Sequence, residues 1–239
     1  MKKYLLGGIA GLALVAQASA APMNVGGVIW DPDHALDFSS FSIAIHQDID
    51  SMTGELSGYG FISTMNGTPQ GTFCPGCEVT FTFSGFFPTG GGAILPGGVG
   101  SAIEYTGGMV SVYVDDSPEI TNPADFTTLN LGNTSDGDMW LDLAGNGTFT
   151  GTVTAAGLSG IGQLDVTGGL AAGNFDTNTQ VNGSDVTFSN SFTFFTPQGN
   201  VLNVDGTGNF FSDTIPVPAP LALLGLGLVG LGFAKRRLA

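Results

Sequence analysis

Between Lys3 and Lys235 the chain contains no lysine or arginine at all. The five basic residues sit at the two ends, while all 20 acidic residues lie between them, giving a formal charge of −15. A body without cations has no Lys or Arg salt bridge, so its cohesion has to come from apolar burial and hydrogen bonds. It also excludes nucleic-acid binding, because neutralising a phosphate backbone takes lysine and arginine. Charged residues make up only 10% of the chain, against about 25% in an ordinary soluble domain. Lys, Arg and Glu, which favour helices, are nearly missing. Two cysteines and two histidines leave few choices for thiol, metal or nucleophile chemistry.

What is plentiful is glycine, 39 residues, and phenylalanine, 18 residues. Apolar and polar residues alternate at Val79, Phe81 and Phe83, at Val110, Val112 and Val114, at Met139, Leu141 and Leu143, at Val186 and Phe188, and at Phe192 and Phe194. Period two is the strand period, with one face buried and the other wet. Asn66-Gly67, Asp136-Gly137, Asn146-Gly147, Asn182-Gly183 and Asp205-Gly206 supply residues tolerant of positive φ, as turns between strands require. The expected fold is all-β, an antiparallel sandwich or jelly roll. An outer-membrane barrel is the competing reading, disfavoured by the helical anchor expected at the C-terminus. Residues 90–100, rich in glycine, read as a mobile loop.

The ends carry the clearest message. Residues 1–20 have a basic start, an apolar stretch from Tyr4 to Val15, and Ala18-Ser19-Ala20, the pattern of a secretory signal cleaved after Ala20. At the other end, Val217-Pro218-Ala219-Pro220 leads into an uncharged run, Leu221 to Ala234, which stops at Lys235-Arg236-Arg237. Prolines limit backward extension of a helix, so a single membrane-crossing helix is expected to start near Pro220. Fourteen helical residues reach about 21 Å, against a hydrocarbon core of about 30 Å, a short span whose basic cluster orients it with the body outside. The expected organisation is therefore a signal peptide at 1–20, a β-rich extracytoplasmic domain at 21–214 and a sorting segment at 215–239.

Val217-Pro218-Ala219-Pro220, the order Ala-Leu-Leu-Gly-Leu-Gly-Leu from Ala222 to Leu228, and the basic end together resemble the PEP-CTERM sorting signal. That family usually has Glu between the two prolines; Ala219 stands there instead, a Val-Pro-x-Pro variant. The resemblance implies an exosortase-like membrane transpeptidase as partner, processing at the motif, and transfer from the inner membrane to the surface or exopolysaccharide matrix of a Gram-negative bacterium. A looser resemblance covers Trp140-Leu141-Asp142-Leu143, Gly162-Gln163-Leu164-Asp165-Val166 and Phe175-Asp176-Thr177-Asn178, which are similar to a segment recurring in PEP-CTERM proteins of unassigned activity.

Within the body, Cys74-Pro75-Gly76-Cys77 precedes a strand rather than opening a helix, which favours a small disulfide over a redox-active pair or a zinc site. His34 and His46 offer material for a Ser-His-Asp set, but no Gly-x-Ser-x-Gly elbow is present. Glu55, Glu78, Glu104 and Glu119 are the glutamates from which a glycoside-cleaving pair would draw. Asp48, Asp50, Thr53 and Glu55, and separately Asp136 and Asp138, cluster oxygens of the kind calcium takes, yet neither spells a known calcium loop. The reading is a non-catalytic exported protein with no cofactor and no metal site; a calcium-dependent glycan-binding module is the alternative and a glycan hydrolase a third.

Replacing Lys235, Arg236 and Arg237 together by neutral residues is expected to weaken retention before processing, with cell fractionation as the measurement. Unchanged distribution between membrane and released fractions would count against the stop-transfer role.

Overall fold

The computed structural model describes residues 20–90, 99–120, 128–193 and 201–215. The residues expected as a signal peptide through Ser19, including Ala18, the glycine-rich residues 91–98, the motif Val217–Pro220, the apolar run from Leu221 and the cluster Lys235–Arg237 lie outside the described residues. Residues 22–216 form one compact unit.

In chain order the elements are β1 (Met23–Val25), β2 (Val28–Trp30), β3 (Phe38–Asp50), β4 (Leu56–Phe61), β5 (Thr64–Met65), β6 (Thr68–Pro69), α1 (Gln70–Phe73), β7 (Glu78–Pro88), β8 (Ala102–Asp115), β9 (Asp138–Val153), β10 (Gly157–Gly168), α2 (Ala172–Phe175), a 3-10 turn at Val181–Gly183, β11 (Val186–Thr193) and β12 (Val201–Ser212). Strands β3, β4, β7, β8, β9, β10, β11 and β12 pair antiparallel in that order, and β12 returns to pair with β3. The result is a closed eight-stranded barrel.

This overturns the expected sandwich or jelly roll. Inward/outward alternation is common to both architectures; what separates them is whether the last strand finds the first. Here β12 runs along β3 from Val201↔Asp50 to Ser212↔Phe38, so no barrel strand edge is left open along that seam. Among the described residues no helix is long and apolar enough to cross a membrane; the membrane-crossing helix expected from Leu221 lies outside them.

The interior is apolar and the outer wall polar. Phe81, Phe83, Val110, Val112, Leu143, Leu164 and Phe188 are buried. On the outside, Asp142 accepts from Ser111 (2.7 Å) and Thr167 (3.1 Å), Asn146 Nδ2 donates to both oxygens of Asp165 (2.8 and 3.0 Å), and Thr187 donates to Gln163 Oε1 (2.9 Å). These polar bridges stitch neighbouring strands where a lipid-facing barrel would carry an apolar belt.

Closing eight strands around bulky rings needs space opposite each ring. β4 provides it. Gly58 and Gly60 face Gln47 and Ile45 across the β3 pairing, and the rings of Phe83 and Phe81 lie directly over them. A Cβ at Gly60 would stand 2.5 Å from Phe81 Cζ and 3.0 Å from the Ala44 carbonyl oxygen.

Several turn expectations land differently. Asn66-Gly67 makes the tight turn between β5 and β6, with φ of 50° and 73°. Asn146-Gly147 instead sits within β9, at an irregularity in its pairing with β10, and Asp205-Gly206 lies in the middle of β12. Bulges and glycines inside strands bend a sheet towards closure, so the same dipeptides that make turns also make curvature. Met139 is 44% exposed although it continues the alternation of Leu141 and Leu143, because the register shifts between Val112 and Tyr113; Trp140 goes inside instead.

One end of the barrel is sealed. Trp30, Phe38, Trp140 and Phe175 meet there with ring centroids 4.7 to 6.4 Å apart, mostly edge to face. The indole of Trp140 donates to the Val25 carbonyl at 2.9 Å, and Asp37 accepts from the amide and hydroxyl of Thr214, both at 2.7 Å, tying the start of the unit to its end. Asp185, 3% exposed, accepts from the amides of Val166, Thr177 and Asn178 and pins the β10–β11 connection to the wall.

Gly60→Ala is expected to destabilise the fold by about 1–3 kcal/mol through overpacking against Phe81. Gly71→Ala, where a Cβ meets nothing within 4 Å, is the control and is expected to be close to neutral. Chemical denaturation of the two variants makes the comparison.

Candidate functional site

The expected site residues of the body are spread rather than gathered. Cys74 and Cys77 form a disulfide, and both are buried. Cys74 follows the last residue of α1, the end of a helix where the dipole disfavours a thiolate, and the Gln70 side-chain amide donates to the Cys77 carbonyl oxygen. The loop is thus a clasp between α1 and β7, beside the Gly26-Gly27 turn.

The carboxylates considered for calcium have other duties. Asp50 Oδ1 accepts from the amides of Met52 (2.9 Å) and Thr53 (2.7 Å) and from the Thr53 hydroxyl (3.0 Å), shaping the β3–β4 turn. Glu55 accepts from the Gly85 amide at 3.0 Å. Asp48 points to His46. Among the described residues no group of three His, Cys, Asp or Glu side chains is placed to hold a metal ion.

His34 Nδ1 accepts from the Leu36 amide in a turn. His46 stands on the outer wall, where the β3–β12 register puts it opposite Asp205. Its Nδ1 is hydrogen-bonded to Asp205 Oδ1 at 2.8 Å, its Nε2 lies 3.4 Å from Asp48 Oδ1, and its ring stacks on Tyr59 at 5.0 Å. Both ring nitrogens therefore face carboxylates, which is the arrangement of a charge-stabilised imidazolium and not of a base held beside a serine. Asp48 and, after burial which opposes it, Asp205 raise the His46 pKa above its ordinary 6.5. Glu78, 1% exposed, lies beneath residues 116–120 and 128–137 on the outer wall; burial raises its pKa, against the stabilising amide of Ile120, which donates to Oε2 at 3.0 Å.

The concave site is one the sequence reading did not identify. At the end of the barrel opposite the Trp/Phe seal, the lumen opens into a cavity of about 70 Å3, partly open to solvent. Ile49 and Leu56 line it from β3 and β4, Phe83 and Phe86 from β7, Tyr105 from β8, Phe149 from β9, Leu158 from β10 and Phe192 from β11. Phe86 and Phe149 pack edge to face at 4.8 Å, and Phe149 lies against the bare Cα of Gly162. Burial pushes the Tyr105 phenol up from its usual range. Gln47 and Asn190 bring amides into this apolar surround. By contrast, the half of the lumen next to the seal leaves a void of only about 10 Å3. A lone glutamine in the alternating pattern of β3, Ile45-His46-Gln47-Asp48-Ile49, was the available signal: it occupies an inward position.

Comparison with known protein families, curated proteins and solved structures returned no match.

Two buried protonations set the pH response. For His46, whose folded pKa is raised, the stabilisation is full below the unfolded value near 6.5 and is lost as pH rises through the folded value. For Glu78, likewise raised, the contribution is full below its ordinary 4.5 and is lost on raising the pH through its folded value. The melting temperature is therefore expected to fall as pH is raised from about 5 to about 8, and His46→Gln is expected to flatten the upper part of that profile. A melting temperature that climbs over this range would contradict the assignment.

Proposed function

We propose that this is an exported, non-catalytic barrel protein of the cell surface or extracellular matrix, delivered through an N-terminal signal and processed at its C-terminal Val217–Pro220 motif by an exosortase-like transpeptidase. The observation that carries the reading is the confinement of every lysine and arginine to the two terminal segments, each next to an apolar run, with a cation-free folded unit between them. A buried disulfide in a unit of this kind fits an oxidising compartment. The polar, acidic outer wall fits an aqueous exterior and keeps the released protein soluble through net charge. His46 clamped between two carboxylates, and aspartates spent on turns and backbone amides, support a non-catalytic role. Association with exopolysaccharide would then run through neutral hydroxyls or bridging cations, since the wall repels acidic glycans.

Intact mass measurement of the protein recovered from its native host tests this directly. A chain beginning at Ala21 and lacking the residues beyond the proline motif is the expected result. Cytosolic protein running from Met1 to Ala239 would overturn the proposal.

A further inference from the structure

The cavity at the end away from the seal has a mostly apolar wall, and of the polar residues that line it, Gln47, Thr150, Ser159 and Asn190, only Gln47 is buried. Gln47 is 1% exposed, projects from β3 into the lumen and lines the cavity, and its Oε1 has no hydrogen-bond partner among the described residues. Buried amide oxygens in folded proteins are nearly always paired, so one facing a ligand-accessible space marks where a donor belongs. Three other buried oxygens without hydrogen-bond partners among the described residues do not share that setting: Ser40 Oγ borders only the void of about 10 Å3, Asp48 Oδ1 faces His46 Nε2 at 3.4 Å on the outer wall, and Glu78 Oε1 also lies on the outer wall.

We propose that this end of the barrel binds a small, predominantly apolar molecule carrying a single hydrogen-bond donor, the donor reaching Gln47 Oε1 and the apolar part lying against Phe86, Phe149 and Phe192. The chemistry follows from the walls. A few polar groups among rings and branched chains prefer an alcohol or phenol over a sugar, whose many hydroxyls would be stranded. Size limits the ligand further. An apolar cavity of about 150 Å3 encloses benzene, so about 70 Å3 with an opening takes a ring inserted donor-first with its far edge towards solvent. A fatty acid is excluded by size, because its chain would exceed the space.

Phenol and toluene are matched probes, differing by a hydroxyl in place of a methyl. Binding to the purified full chain is measured by titration of methyl resonances, and Gln47→Met removes the acceptor while keeping an unbranched side chain of similar volume. Phenol is expected to shift the methyls of Ile49, Leu56 and Leu158 and to leave those of Val186 and Leu164 in place. The ratio of phenol to toluene affinity is expected to drop about fivefold in Gln47→Met, the loss of one ordinary hydrogen bond. No shift with either probe at millimolar concentration overturns the proposal, as does a ratio unchanged by the substitution. Should Gln47→Met fail to fold, the wild-type titration decides alone: shifts scattered over the outer wall instead of the lumen methyls overturn it.

Discussion

The pairing of β12 with β3 is the contact on which the rest of the molecule depends. It turns a sequential antiparallel meander into a cylinder, removes the two edges the meander would otherwise expose, and creates an inside that has to be filled. The filling is done by phenylalanine, and the closeness of the walls demands glycine opposite the rings, as at Gly58 beneath Phe83 and Gly60 beneath Phe81. At such positions glycine and phenylalanine work as a pair. A ring needs a neighbour without a side chain before a barrel of this circumference can close around it.

The absence of lysine and arginine shapes the outer wall in the same way. With no cations in the body, carboxylates are satisfied by hydroxyls, amides and backbone N–H groups: Asp142 by Ser111 and Thr167, Asp165 by Asn146, Asp185 by three main-chain amides. The one imidazole on the wall with carboxylates at both nitrogens, His46, supplies positive charge only when protonated. Such a surface is held by directional bonds between neighbouring strands.

The two ends of the barrel have separate characters. At the sealed end the Trp30, Phe38, Trp140 and Phe175 cluster is dense and fastens the beginning of the unit to its end. At the other end the lining leaves a partly open cavity with amides in its wall. Trp140 and Phe175 build the seal, while Gly162 on β10 lies at the cavity.

Much of the strand content was legible from alternation, because a residue's side of a strand depends only on parity, and Phe81, Phe83, Val110, Val112, Leu141 and Leu143 all point inward as parity requires. Met139 and Trp140 break the pattern, since a register shift against β8 is a property of the pair and not of either strand. Asn146-Gly147 and Asp205-Gly206 read as turns between strands but lie inside β9 and β12, because the backbone freedom that suits a turn also serves curvature within a strand. The terminal charge topology, the all-β character and the disposition of Cys74 and Cys77 next to a strand are written in local sequence, where composition and near-neighbour order suffice. Closure, the seal, the carboxylate partners of His46 and the cavity around Gln47 were decided only in three dimensions, because each depends on residues far apart in the chain, such as Ser212 with Phe38 or His46 with Asp205, being brought together by the meeting of the first and last barrel strands.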